Sequence, residues 1–143
     1  MGPTEAEQIS IPSIPSEASK LQARIMARVR AFDYSADAQF AVQLALDEAF
    51  SNAIRHGNRE DPDKQVHVMF EINHDRVAVT VEDEGPGFSP EDVPDPTLKE
   101  NIEQPHGRGI MLMRAYMTQV QYNDAGNRIT MVKRRGCSLP HAP

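Results

Sequence analysis

The sequence predicts an α+β fold: a two-layer sandwich whose mixed or antiparallel sheet is covered by helices on one face. Three observations predict it. Apolar residues recur at helical spacing in some stretches and at alternate positions in others, so both periods are present. The order is strand, two helices, hairpin, long loop, helix, hairpin, and elements with one apolar face must bury it against each other. At 143 residues the chain is long enough for one core and short for two, so 1–143 is expected to be a single domain with its core over about 8–134.

Residues 1–18 are rich in Pro, Ser and Glu, and within them Gln8-Ile9-Ser10-Ile11-Pro12 alternates polar with apolar as a strand does. Pro12 and Pro15 keep that strand at an edge. Ser16 is the expected N-cap of a first amphipathic helix reaching about Phe32, with Leu21, Ile25, Met26 and Val29 at helical spacing. Asp33 and Tyr34 then lead to Ser35 as the next cap. The second helix runs to about His56, ended by Gly57-Asn58, and buries Val42, Ala45, Leu46, Ala49, Phe50 and Ala53.

Beyond the Asp61-Pro62-Asp63 turn, Val66, Val68, Phe70 and Ile72 alternate with other residues, as do Val77, Val79 and Val81 after Asn73-His74-Asp75. That is a hairpin of half-buried strands. A polar, Pro-rich stretch over 89–106 has no sustained period; loops this long in a compact domain are usually functional or disordered. A helix after Gly109 carries Ile110, Leu112, Met113 and Met117. The last hairpin pairs Val120-Tyr122 with Ile129-Val132 around Asp124-Ala125-Gly126-Asn127.

With 21 acidic against 15 basic residues, a net charge of −6 gives no general attraction to nucleic acid or anionic membranes. A protein or a small ligand is the expected partner. No apolar run is long enough to span a bilayer and the N-terminus has no signal-peptide layout, so a cytoplasmic location is expected. The one cysteine, Cys137, has no partner for an internal disulfide, in keeping with a reducing compartment.

Three motifs carry chemistry. On the second helix Glu48, Asn52 and His56 are spaced by four, so they climb one side beside the apolar face and would line a cleft. An Asn oxygen suits a hard Mg²⁺ ion, and a Glu can orient or deprotonate an attacking hydroxyl. The second motif, Glu82-Asp83-Glu84-Gly85-Pro86-Gly87, ends a strand. Its glycines permit close backbone approach to a ligand, and its carboxylate accepts from a donor such as a purine amino group. The third, His106-Gly107-Arg108-Gly109-Ile110, precedes a helix whose free N–H groups and dipole favour an anion, with Arg108 adding a charge-assisted contact. Each alone is ordinary: a solvated helix face, an acidic turn, a hinge.

Together, in this order, Glu-x-x-x-Asn on a helix, Asp-x-Gly-x-Gly after a strand and Gly-x-Gly before a helix resemble the asparagine box and the two glycine boxes of the GHKL (Bergerat-fold) ATPases. The resemblance spans roughly 8–134. Within that superfamily, the stretches Asp47-Glu48-Ala49-Phe50-Ser51-Asn52-Ala53-Ile54-Arg55-His56-Gly57 and Gly107-Arg108-Gly109-Ile110-Met111-Leu112-Met113 are most similar to the bacterial anti-sigma-factor serine kinases.

The resemblance implies an ATP- and Mg²⁺-dependent serine/threonine-protein kinase. By it, Asn52 binds the metal, Glu48 is the catalytic base, Asp83 bonds the adenine amino group, Gly85 and Gly87 approach the base, and Gly107 and Gly109 lie against the phosphates. The stretch 89–108 becomes a lid in which His106 and Arg108 reach phosphate. Arg55 and His56 either touch phosphate or cap the helix. The implied partners are a sigma factor and an anti-anti-sigma protein phosphorylated on serine, with the kinase a homodimer. Two alternatives stay open: a non-catalytic ATP-binding regulator, and a detached catalytic domain of a histidine kinase. No Walker-type or protein-kinase His-Arg-Asp element is present.

Overall fold

The structure is a computed structural model and describes residues 4–86 and 112–136. Along the chain come β1 (Glu5–Pro12), α1 (Pro15–Ala31), α2 (Ala36–Ser51), a π-helical turn (Asn52–Gly57), β2 (Gln65–Ile72), β3 (Arg76–Glu82), β4 (Gln119–Tyr122) and β5 (Arg128–Arg134). A helical segment over 112–116 precedes β4.

The strands form one sheet in the order β1-β2-β3-β5-β4, and every neighbouring pair is antiparallel. Of the two sheet types the sequence allowed, the antiparallel one is realised. β1 lies at an edge, paired only with β2, and Pro12 opposite Gln65 is its last residue. Pro15 belongs instead to the helix.

Alternation decides which face is covered. Val66, Val68, Phe70 and Ile72 of β2, Val77, Val79 and Val81 of β3, and Ile129 and Met131 of β5 are buried in one core with Leu21, Ile25 and Val29 of α1 and Val42, Leu46, Ala49 and Phe50 of α2. The opposite face carries Ser10, Thr80, Thr130 and Met69, the last 51% exposed. Met113 and Met117 join the core, whereas Leu112 is left exposed. Buried Lys133 donates from Nζ to the Tyr116 carbonyl at 2.9 Å, which satisfies both groups where the 112–116 segment ends.

The helix starts differ from expectation at one place. Ser35 caps α2, its hydroxyl accepting from the Ala38 N–H at 3.1 Å. Ser16 does not cap α1: the helix begins a residue earlier, with Pro15 in its first turn and Ile14 at the N-cap without a side-chain bond. Proline suits that position because its missing N–H would have had no helical partner and its φ is already helical.

One end of the sheet is closed by Arg135. Its guanidinium lies 4.1 Å from the centre of the Tyr34 ring and donates to the carbonyls of Phe32, Asp33 and His74. The Tyr34 hydroxyl donates to the Asn73 carbonyl at 2.7 Å, and the Asn73 side chain accepts from the Asp75 and Arg76 N–H groups. This cluster ties the α1–α2 connection to the β2–β3 turn. From there α2 runs along the sheet to the opposite end, where the conspicuous residues of the sequence gather.

Candidate functional site

The α-helix of α2 does not continue to His56. From Asn52 the backbone widens to π geometry, the Asn58 N–H donating to the Ala53 carbonyl at 2.8 Å, five residues back. A four-residue spacing lines up side chains on an α-helix, and it does so for Glu48 and Asn52, both half-buried. Past Asn52 the repeat is longer, and Arg55 and His56 are exposed. The expected three-residue row is thus a pair, and His56 is not the third member of a half-buried line.

The second motif begins where β3 ends. The Asp83 N–H donates to the Asn127 carbonyl at 2.9 Å, and the Asn127 carboxamide donates back to the Asp83 carbonyl at 3.3 Å. This brings the β4–β5 turn against the acidic loop. Asp83 Oδ1 accepts from the Gly85 N–H at 2.8 Å, a local turn that orients the carboxylate.

Glycine is required on both sides of this contact. A Cβ on Gly57 would lie 2.2 Å from Asp83 Cγ, and one on Gly85 would lie 2.0 Å from the Gly57 carbonyl oxygen. A side chain at Gly57 would push the Asp83 carboxyl aside, and one at Gly85 would run into the Gly57 backbone itself. The end of the π-turn and the start of the glycine loop are therefore interlocked. Gly57 had been read from the sequence only as a helix terminator.

Electrostatics single out the same residues. Burial raises the Glu48 pKa above the ordinary carboxylate range, the Asp47 carboxylate raises it further, and the Arg55 guanidinium opposes both. Asp83 is likewise raised, chiefly by burial, against the lowering effect of the Gly85 N–H. Tyr122, at the end of β4, is pushed up to about 12 by burial; Arg114 lowers it and the Glu48 carboxylate raises it, so Tyr122 and Glu48 lie within electrostatic reach. Nothing in the sequence pattern marked Tyr122, since a strand tyrosine reads as packing. Glu84 points elsewhere: its carboxylate accepts from the Gln65 N–H at 3.1 Å and meets His67 Nε2 at 3.0 Å, and these contacts lower its pKa.

Glu48 at the end of α2, Asn52 at the start of the π-turn, and Asp83 and Gly85 at the β3 exit thus border one end of the sheet. Gly87, His106, Gly107, Arg108 and Gly109, and the expected lid over 89–108, lie outside the described residues. Among the described residues, no helix is long and apolar enough to cross a membrane. The donor chemistry fits a magnesium nucleotide. A half-buried carboxylate held by its own loop can accept from an amino group, and a half-buried carboxamide offers a neutral oxygen to a hard cation.

Comparison with known proteins points the same way. The pattern of the family described as histidine kinase-like ATPase domain matches residues 11–133. The serine-protein kinase RsbW of Bacillus subtilis is 26% identical over 133 residues, covering 88% of this chain and 83% of its own. An anti-sigma F factor of Heyndrickxia coagulans is 33% identical over 114 residues, 77% of each chain. The serine/threonine-protein kinase BtrW of Bordetella bronchiseptica is 28% identical over 102 residues, 68% of this chain and 72% of its own.

Proposed function

Since the chain belongs to the histidine kinase-like ATPase family, we propose that it is an ATP-dependent serine protein kinase of the anti-sigma type. It would sequester a sigma factor and phosphorylate a small antagonist protein on serine. The observation that carries this reading is the pairing of Glu48, in the last turn of α2, with Asn52, which caps that helix and opens the π-turn, both half-buried. A non-catalytic nucleotide binder has use for the metal ligand but none for a carboxylate whose pKa burial has raised toward the working pH.

In this reading the Asn52 carboxamide oxygen would hold Mg²⁺, which when bound would balance phosphate charge, and bound ATP would be the phosphoryl donor. Asp83 accepts from the adenine amino group, while Gly85 and Gly87 keep side chains clear of the base. Glu48 would take the proton of the serine hydroxyl as that oxygen bonds to the γ-phosphorus and the bond from that phosphorus to the β–γ bridging oxygen breaks, with ADP as the leaving group. The resemblance would assign phosphate contact to Gly107, Gly109 and Arg108, and lid roles to His106 and the rest of 89–108, all outside the described residues. Arg55 and His56, exposed on the π-turn, would touch phosphate or cap the helix end. The related proteins named as serine-protein kinases and as an anti-sigma factor support the kinase and anti-sigma reading; a homodimer, a cytoplasmic location and a single domain over 1–143 complete the proposal.

The test is to capture partners of the full chain from its native cell and incubate the complex with γ-labelled ATP and Mg²⁺. Label on a serine of a small captured protein is the expected result. ATP binding without transfer to any partner would make the chain a non-catalytic regulator, and label on a histidine would make it a histidine-kinase catalytic domain.

A further inference from the structure

Asn58, the residue that closes the π-turn, is 0% exposed and is bonded through every polar group it has. Its N–H donates to the Ala53 carbonyl and its own carbonyl accepts from the Asp61 N–H at 3.0 Å. Its side chain reaches three further segments. Nδ2 donates to Ser13 Oγ at 2.7 Å, between β1 and α1, and to the Gln65 carbonyl at 2.9 Å, at the start of β2. Oδ1 accepts from the Glu84 N–H at 2.7 Å. Only a carboxamide supplies donors and an acceptor from one short side chain; Asp lacks the donors and Leu lacks both.

The Glu84 N–H belongs to the same peptide unit as the Asp83 carbonyl. That unit is gripped from both sides, by Asn58 Oδ1 at 2.7 Å and by Asn127 Nδ2 at 3.3 Å. With the Asp83 N–H also bound to Asn127, the peptides on either side of the Asp83 Cα are fixed. Fixing them fixes the direction in which its carboxylate leaves the backbone. The shorter of the two grips is the one from Asn58. Its neighbour Gly57 lies against the Asp83 carboxyl with no room for a Cβ, so the two consecutive residues contact backbone and side chain of the same aspartate.

The chain continues from Asn58 into Arg59 and Glu60, both at positive φ (54° and 58°), a conformation unfavourable for residues with side chains. Such geometry persists when the surroundings over-determine it, and the bonds of Asn58 do so here.

We propose that Asn58 is the positioning residue of the nucleotide pocket: its Oδ1 holds the Glu84 peptide and so aims the Asp83 carboxylate at the purine amino group. The inference rests on the nucleotide reading above and adds a division of labour within one side chain. The Nδ2 bonds to Ser13 and Gln65 hold the fold; the Oδ1 bond sets base recognition.

Calorimetry on the full chain, at a temperature where each variant is folded, would compare the Kd for ATP with that for purine riboside 5′-triphosphate, which lacks the amino group. Wild type should prefer ATP by roughly tenfold or more, the scale of one hydrogen bond to a charged acceptor. Asn58→Ala should bring the ratio close to one while changing the affinity for the analogue by no more than about twofold. Asn58→Asp keeps an acceptor for the Glu84 N–H and should restore the ratio despite a lower Tm. Ser13→Ala, which touches only the donor side, should lower Tm and leave the ratio alone.

A loss of both affinities in equal proportion in Asn58→Ala would overturn the proposal, because that is what a merely structural residue produces. Should Asn58→Ala not fold, wild type alone decides: without nucleotide the Glu84 amide should exchange at least about tenfold more slowly than a free peptide amide, and free exchange would overturn the proposal. A wild type that binds neither nucleotide overturns the nucleotide reading itself. One that discriminates while Asn58→Ala discriminates equally leaves that reading standing and removes Asn58 from it.

Discussion

The two ends of β3 are built on opposite principles. At the Arg76 end a cation is spent on saturation: Arg135 stacks on Tyr34 and satisfies backbone carbonyls from the α1–α2 connection and the β2–β3 turn. At the Glu82 end the opposite choices are made. Asp83 and Glu48 are carboxylates partly withdrawn from water, and Gly57 and Gly85 leave no room for a Cβ. Each of these costs stability, and they cluster where the family motifs fall. The difference teaches that one end of the sheet holds the fold while the other is held by it.

The largest expected effect separates catalysis from binding at the Glu82 end. Glu48→Gln preserves size and removes the proposed base, so phosphoryl transfer should fall by a factor on the order of 10² or more with ATP affinity retained. Asn52→Ala removes the proposed metal ligand and should impair Mg²⁺-dependent ATP binding and transfer together. Quench-flow transfer assays beside calorimetry check both. A Glu48→Gln variant transferring at the wild-type rate would show that burial raised the wrong carboxylate.

The next effect belongs to the other end. Arg135→Ala removes a cation from an aromatic face and from several carbonyls, and should lower stability by about 2 kcal/mol in urea unfolding. ATP affinity should stay within about twofold of wild type, because among the described residues this cluster has no hydrogen bond to Glu48, Asn52, Asp83 or Gly85. A large loss of ATP affinity in a folded Arg135→Ala variant would break the comparison, since the two ends would then be one coupled unit.

How much of this was legible depended on whether the deciding contact was local. The alternation of Val66, Val68, Phe70 and Ile72 gave β2 because each pointed into the core. Ser35 was legible as a cap because its partner, the Ala38 N–H, is three residues away. Ser16 misled because it met the same local criterion while Pro15 had already started the helix. The π-turn was invisible since a four-residue spacing of polar residues fits an α-helix equally well. Asn58 was read as a stop signal, which it is. Its bonds to Ser13, 45 residues away, and to Glu84, 26 residues away, exist only once the chain is folded. The adjacency of β3 and β5 likewise follows from packing rather than from any local pattern.

The smallest expected effect is the sharpest statement of the comparison, because it asks whether a functional residue costs stability. Burial raises the native pKa of Asp83 above the value it would have unfolded, so the folded state prefers the protonated acid. For a carboxyl group shifted in that direction, the contribution to stability is fully present below the unfolded pKa, near 4, and is lost as pH rises through the raised native value. Above that native value wild type carries a charged group that the fold disfavours. Asp83→Asn keeps an oxygen for the Gly85 N–H and removes the charge. It should raise stability at pH 7 by about 0.5 kcal/mol, the scale of a substitution that leaves packing intact, and the gain should shrink toward zero as pH falls through the native pKa to about 4. The same variant should bind ATP more weakly, since its amide can present a donor where the adenine amino group needs an acceptor. Thermal unfolding across pH beside calorimetry reads both quantities. A variant less stable than wild type at neutral pH would show that the charged Asp83 serves the fold, and the contrast between the two ends of β3 would lose its clearest case.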